Sequence, residues 1–413
     1  MKIFRVLSWA LYDLANQFFV LNIVSLYFVR WLIINKGMSE LSYSISFGLS
    51  MFLVAVSAPF LGAISDIHKK HRVFLASFTI ISVVFTILLG FTNNVWIALI
   101  YFIIANFGCQ EAVIFYNALM ASIASKEKTG MVSGIGKMFG YFGALIALLL
   151  MKHLAIEKGY HTVFVMTGIF FLLLALPCMI FVKEKHGYQE VSEETVSLKE
   201  ALRSFKLLLT AERRNAALMN LFKASFFGFG VINVVILFMS VYVDKVFGLK
   251  DAQIINFVLL STVFAIIGSI TSGIISDYLG HSFILLCAFI MWGASLMCGA
   301  LISSHYLYWI IAVLSGISLG SVWVTSRALL IRMVSQDNIA RIFGIFNLIG
   351  YAAGIAGPLW WGIILLYLRP LGKLGYRIAV FSLVIFLILA AVFMVRILNE
   401  TFLNRDAASN EGG

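Results

Sequence analysis

The chain has 413 residues, of which 62% are hydrophobic and 12% charged, against roughly 25% charged in soluble domains. A water-soluble globular protein is excluded, and the formal net charge of +11 does not point to nucleic acid, because most of the basic residues lie in breaks spread between apolar runs rather than in one patch. The four cysteines, Cys109, Cys178, Cys287 and Cys298, all lie inside apolar runs and read as small packing residues rather than disulfide partners.

Apolar runs of about 20 residues, enough to cross roughly 30 Å of hydrocarbon, recur along the whole chain. They occupy 7–32, 42–64, 73–92, 95–122, 130–152, 160–182, 216–243, 253–276, 282–303, 305–333, 339–368 and 374–398. None alternates as a barrel strand would. The expected fold class is therefore all-α integral membrane, with about twelve transmembrane helices.

The first span carries Asp13, Asn16 and Gln17 within one turn, so these share a side of the helix. They are expected to face water or substrate, the alternative for Asp13 being an anchor at the helix end. Asn22 reads as a bond to a neighbouring helix. The fourth span carries Asn106, Gln110 and Asn117 along one stripe with Glu111 beside it. Glu111 lies near mid-membrane, where a carboxyl in an apolar site exchanges protons near neutral pH. It is expected to carry a coupling proton; the alternative is a structural pair with Lys137 of the fifth span.

The halves echo each other. "GAISDIHKKHR" (62–72) follows the second span and "GIISDYLGHS" (273–282) the eighth, and Gly140-Tyr141 of the fifth matches Gly350-Tyr351 of the eleventh. A parallel duplication of six plus six helices follows, the pattern of major facilitator transporters. The expected domains are 1–182, a linker at 183–215 with an amphipathic helix near 196–209, 216–398, and a tail at 399–413. Gly62 and Gly273 allow close helix approach. Asp66 and Asp277, read as lying just past their helix ends, are expected to latch onto a helix N-terminus of the opposite half, the alternative being a solvated loop role. Gly134, Gly136, Gly140 and Gly143, matched by Gly344, Gly350, Gly354 and Gly357-Pro358, permit sliding and bending.

The same repeat matches Asn117 to Arg327 and Lys137 to Asn347. Asp13, Asn117, Lys137, Lys223, Arg327 and Asn347 are expected to form one polar layer, with snorkelling to the interface as the alternative for Lys223. Lysine and arginine are more numerous on the side holding both termini, so both termini are expected in the cytoplasm. No P-loop, H-E-x-x-H or serine elbow occurs, and "HKKH" (68–71) offers no third metal ligand. No enzyme, cofactor or metal is expected.

"WALYDLAN" (9–16), "FYNALM" (115–120), "SGIGKMFGYFG" (133–143), "SRALLIRMV" (326–334) and "FGIFNLIGYAAGIAGP" (343–358) together resemble the autophagy-related vacuolar amino-acid effluxer family of the major facilitator superfamily, in its compact bacterial form. The resemblance spans nearly the whole chain. It implies two pseudo-symmetric six-helix bundles, with spans 1, 4, 7 and 10 lining the path of a small solute. It also implies a monomer in the bacterial inner membrane, coupled to protons or sodium. The chain departs from the family pattern at Phe229, where Asp precedes the glycine, at Trp323, where Gln is common, and at Lys137. Loss of an acid and gain of a cation argue for a cargo of anionic character or for altered coupling. Trp323 either stacks on the substrate or only packs. The rival reading is a receptor or scaffold that has kept the fold without transporting.

Overall fold

The computed structural model describes residues 2–68, 70–123, 129–182, 216–301, 308–334 and 339–410. Among them are 12 helices long and apolar enough to cross a membrane. The first, α1, is composite: α-helical over Lys2–Phe19, π-helical over Val20–Leu26, α-helical over Tyr27–Arg30 and π-helical again over Trp31–Asn35. There follow α2 (Glu40–His68), α3 (His71–Leu89), α4 (Val95–Ile123), α5 (Thr129–Lys158) and α6 (Tyr160–Phe181). The rest are α7 (Ala216–Phe247), α8 (Asp251–Leu279), α9 (His281–Leu301), α10 (Tyr308–Met333), α11 (Ile339–Leu368) and α12 (Lys373–Asn410). The amphipathic segment expected near 196–209 lies outside the described residues, and α12 runs through the stretch expected as a tail.

The duplication is written into the turns. Gly37, after α1, and Gly248, after α7, have φ of 68° and 67°, a region open to glycine and strained for other residues. Each is followed by a helix that opens on an acid, Glu40 or Asp251, favourable against the positive end of the helix dipole. Ser39 caps α2 by accepting from Ser42 N–H at 3.2 Å, and Gln253 caps α8 by accepting from Lys250 N–H at 3.0 Å.

The chain divides into two compact units, Met1–Ala201 with Ile236–Val241, and Leu202–Val235 with Tyr242–Gly413. In the first, α1 packs on α5 and α6, and α4 packs on α2 and α3. The segment from α7 belongs to this unit because buried Arg30 donates from Nη1 to the carbonyl of Ser240 at 3.0 Å, and Ser240 Oγ donates to the carbonyl of Ser25 at 3.0 Å. Arg30 falls within the first apolar run, 7–32, and lies inside α1. In the second unit α10 packs on α8 and α9, and α9 on α12.

Side chains are distributed as a lipid solvent demands. Large apolar groups such as Phe52, Trp96, Leu149, Ile290 and Ile388 are exposed, while serines and threonines are buried. Buried hydroxyls bond the carbonyl one turn back, as Thr86 does to Ser82 at 2.6 Å and Thr325 to Ser321 at 2.7 Å, so few reach hydrocarbon unsatisfied. Asn22 Nδ2 donates to Thr167 Oγ1 at 3.0 Å, the bond between neighbouring helices expected of it.

Candidate functional site

In the first unit the residues of "WALYD" and "FYNAL" come together. Trp9 stacks on Tyr116 with ring centroids 4.5 Å apart, and Tyr12 stacks on the same ring at 5.0 Å. Trp9 Nε1 donates to the carbonyl of Tyr116 at 2.9 Å. Thr79 donates its single hydrogen to Leu75 at 2.7 Å, so the 2.7 Å contact between Tyr12 and Thr79 is a donation from the tyrosine. Glycines of α5 complete the cluster. A Cβ at Gly136 would stand 2.7 Å from the Trp9 ring, and one at Gly140 would stand 3.2 Å from Asp13 Oδ2. Asp13 is only 6% exposed, and its carboxyl packs closely against Gly140.

The polar residues of α4 separate onto two faces. Toward α1, Cys109 Sγ donates to Asn16 Oδ1 at 2.9 Å. Toward α2, Asn106 Nδ2 donates to Ser50 Oγ at 2.6 Å and Ser57 Oγ lies 2.5 Å from Glu111 Oε1. Both Asn106 and Glu111 are fully buried. Gln110 and Gln17 are half-buried and Asn117 exposed, so Asn106 and Glu111 leave the stripe to which the sequence assigned or adjoined them. Lys137 lies in α5, one residue past Gly136, and its side chain is outside the described residues.

In the second unit Phe229 stacks on Trp323, with centroids 5.0 Å apart and planes at 20°. Two of the three positions that depart from the family pattern are therefore in contact. Arg327, exposed and one turn along α10, sets its guanidinium over the Trp323 ring at 5.3 Å, a cation–π arrangement. Phe346 of α11 meets the edge of Phe229 at 5.3 Å. Lys223 does not join this group: its ammonium lies 5.5 Å from the ring of Phe393 on α12, which Arg396 also covers. Asn347 is exposed on α11.

The aspartates of the repeated loops lie within their helices rather than past the ends, because α2 continues to His68 and α8 to Leu279. Gly280, with φ of 93°, is what stops α8. Asp277 accepts from Arg332 Nη2 of α10 at 3.1 Å and stands 3.7 Å from His281 Nε2. The Asp66 side chain lies outside the described residues. Gly273 faces Val324 of α10, whereas no atom of the described residues lies within 4 Å of a Cβ built at Gly62.

Sequence reasoning missed Tyr116, Ser57 and Arg332 as partners. Tyr116 sits in a motif already singled out, but a serine in an apolar span gives no sign of which helix it faces.

The Major Facilitator Superfamily model matches residues 14–270 and 251–412. The chain belongs to the major facilitator superfamily. Its members are membrane transporters and not enzymes. This facilitator is 23% identical over 416 residues to an uncharacterized MFS-type transporter, YxiO, of Bacillus subtilis (strain 168), covering 95% of each chain. Its fold resembles a bacterial homolog of the human lysosomal transporter Spinster, solved inward-facing and unoccupied, with a TM-score of 0.74 at 17% identity over 98% of each chain. It also resembles the nucleoside transporter NupG, with a TM-score of 0.73 at 14% identity over 96% of this chain and 98% of that one. At these identities the likeness to the solved structures concerns the fold.

Proposed function

We propose that this facilitator is a secondary active transporter for a small polar solute, an amino acid or related zwitterion, working by alternating access of its two six-helix halves. The observation that carries the reading is Arg327 over Trp323 on a membrane-spanning helix. A cation placed among such helices costs a few kcal/mol of insertion free energy and is kept where it has a task. A guanidinium suits a carboxylate, which it grips through two parallel N–H donors, and the Phe229–Trp323 stack beside it offers a flat apolar wall. Asp13, Asn16 and Asn117 are the groups suited to an amine or hydroxyl. Lys223, over Phe393, is left out of this set. Glu111 carries the coupling proton, and the motif resemblance to vacuolar amino-acid effluxers supports the choice of cargo. The excess of lysine and arginine on one side supports cytoplasmic termini in a bacterial inner membrane.

Reconstituted protein should move a labelled amino acid across liposomes when the panel also contains nucleosides and lipophilic cations. Flux of only a nucleoside or only a cation would replace the cargo assignment. If monodisperse protein moves no solute at all, the fold has been kept for a receptor or scaffold role.

A further inference from the structure

Helix α4 sets Glu111 against α2, and counting hydrogens there leaves one arrangement that uses every contact. Ser57 Oγ lies 2.5 Å from Glu111 Oε1 and 2.7 Å from the carbonyl oxygen of Leu53, one turn back on α2. Both separations are those of hydrogen bonds. A serine hydroxyl carries a single hydrogen, and neither a backbone carbonyl nor a carboxylate has one to give. Were Glu111 ionised, Ser57 would face two acceptors with one hydrogen, and one of these two short oxygen pairs would have no hydrogen in it.

We infer that Glu111 is the neutral acid in this conformation, its proton on Oε1 donated to Ser57 Oγ while Ser57 donates to the carbonyl of Leu53. The chain from Glu111 to Ser57 to Leu53 then has one hydrogen in each gap. The surroundings agree. Glu111 is 0% exposed, and its Oε2 has no hydrogen-bond partner among the described residues, which a carboxylate would need far more than an acid does. From α2 the groups facing this seam are the hydroxyls of Ser50 and Ser57. On α4 the nearest polar neighbour toward α2 is Asn106, already bonded to Ser50. The titratable Cys109 and Tyr116 turn toward α1, where they meet Asn16 and Trp9, and Asp13 sits against Gly140 of α5. No ion pair to Glu111 occurs among the described residues.

Ser57 is therefore a positioning residue for the proton. When the proton leaves, the single hydrogen of Ser57 must serve either Leu53 or Glu111, so either the bond within α2 or the bond from α2 to α4 is lost. This deepens the coupling role given to Glu111 above and rests on it for its use in transport, whereas the protonation state stands on the geometry alone.

The test is infrared difference spectroscopy of the protein in lipid vesicles at neutral pH, reading the carbonyl stretch of a protonated carboxyl. Subtracting the Glu111→Gln spectrum should reveal one such band in the wild type. Ser57→Ala should shift that band to higher frequency, because the acid loses its acceptor, while Ser57→Thr should leave it near its native place. A difference spectrum without the band, or a band that Ser57→Ala does not move, overturns the inference. Should Glu111→Gln not fold, raising the pH on wild-type protein provides the same subtraction: a single band lost as carboxylate absorption appears, and moved by Ser57→Ala, supports the assignment, and its lack overturns it. If the band behaves as stated but pH gradients drive no flux, the assignment stands and the coupling reading falls.

Discussion

The carboxyl of Asp13 rests against Gly140, where an added Cβ would lie 3.2 Å from Oδ2 and 3.3 Å from Cγ. The repeat-related Gly350 has Phe229 as its neighbour, 3.9 Å from a Cβ built there. One position of the duplicated pattern thus holds an acid in the first half and an aromatic ring in the second. The two halves of this facilitator have taken different chemistry onto the same packing.

Closeness differs along α5, and stability should follow it. A Cβ at Gly143 would lie 2.6 Å from the Leu14 carbonyl oxygen and 2.7 Å from its Cα. Those are backbone atoms, so α1 and α5 would have to part. Gly143→Ala should cost about 1–3 kcal/mol, the range for overpacking, whereas Gly140→Ala asks only that the Asp13 side chain give by a few tenths of an ångström. Thermal unfolding in detergent should rank Gly143→Ala well below Gly140→Ala, and equal midpoints would refute the ranking.

Arg327→Lys keeps the charge but loses the planar fork. The apparent KM for a carboxylate-bearing substrate should rise about tenfold or more, the equivalent of roughly 1.5–3 kcal/mol for a charge-assisted contact. Trp323→Leu should weaken binding less. In a double-mutant cycle, Phe229→Ala and Trp323→Ala should be non-additive by about 0.5–1.5 kcal/mol of stability, as stacked rings are. An unchanged KM in Arg327→Lys would remove Arg327 from the substrate set.

Glu111→Gln keeps shape and hydrogen-bonding capacity but cannot release a proton. Accumulation driven by a pH gradient should vanish while exchange of substrate for substrate continues. Intact gradient-driven uptake would move the coupling role to Asp13 or to sodium.

Asp277 sits in the last turn of α8, where its own helix dipole disfavours a negative charge, and Arg332 offsets that. The exposed pair is worth at most about 1 kcal/mol. If Asp277 also latches the cytoplasmic side of the transporter, Asp277→Asn should raise labelling of cysteines placed along the transport path, and Arg332→Ala should not. Matching effects from both variants would reduce Asp277 to a surface ion pair. Asp66→Asn, at the related place in the first half, should reproduce the Asp277→Asn result.

Twelve spans, their duplication and the polar positions inside them were all readable from the residues in order. Each is a local property: a bilayer core of roughly 30 Å requires about 20 apolar residues per helix, and a charge inside such a run stands out wherever the helix later packs. The direction each polar group takes was decided by tertiary structure alone. Glu111 turns to Ser57 of α2, Lys223 to Phe393 of α12, Asp277 to Arg332 of α10, and Phe229 finds Trp323. In a soluble helix an apolar stripe would mark the buried face, because water lies on the other side. Here lipid and neighbouring helices are equally apolar, so residues on either face look alike in sequence. Only close packing of one helix on another, at contacts such as Gly143 on Leu14, determines which way each side chain faces.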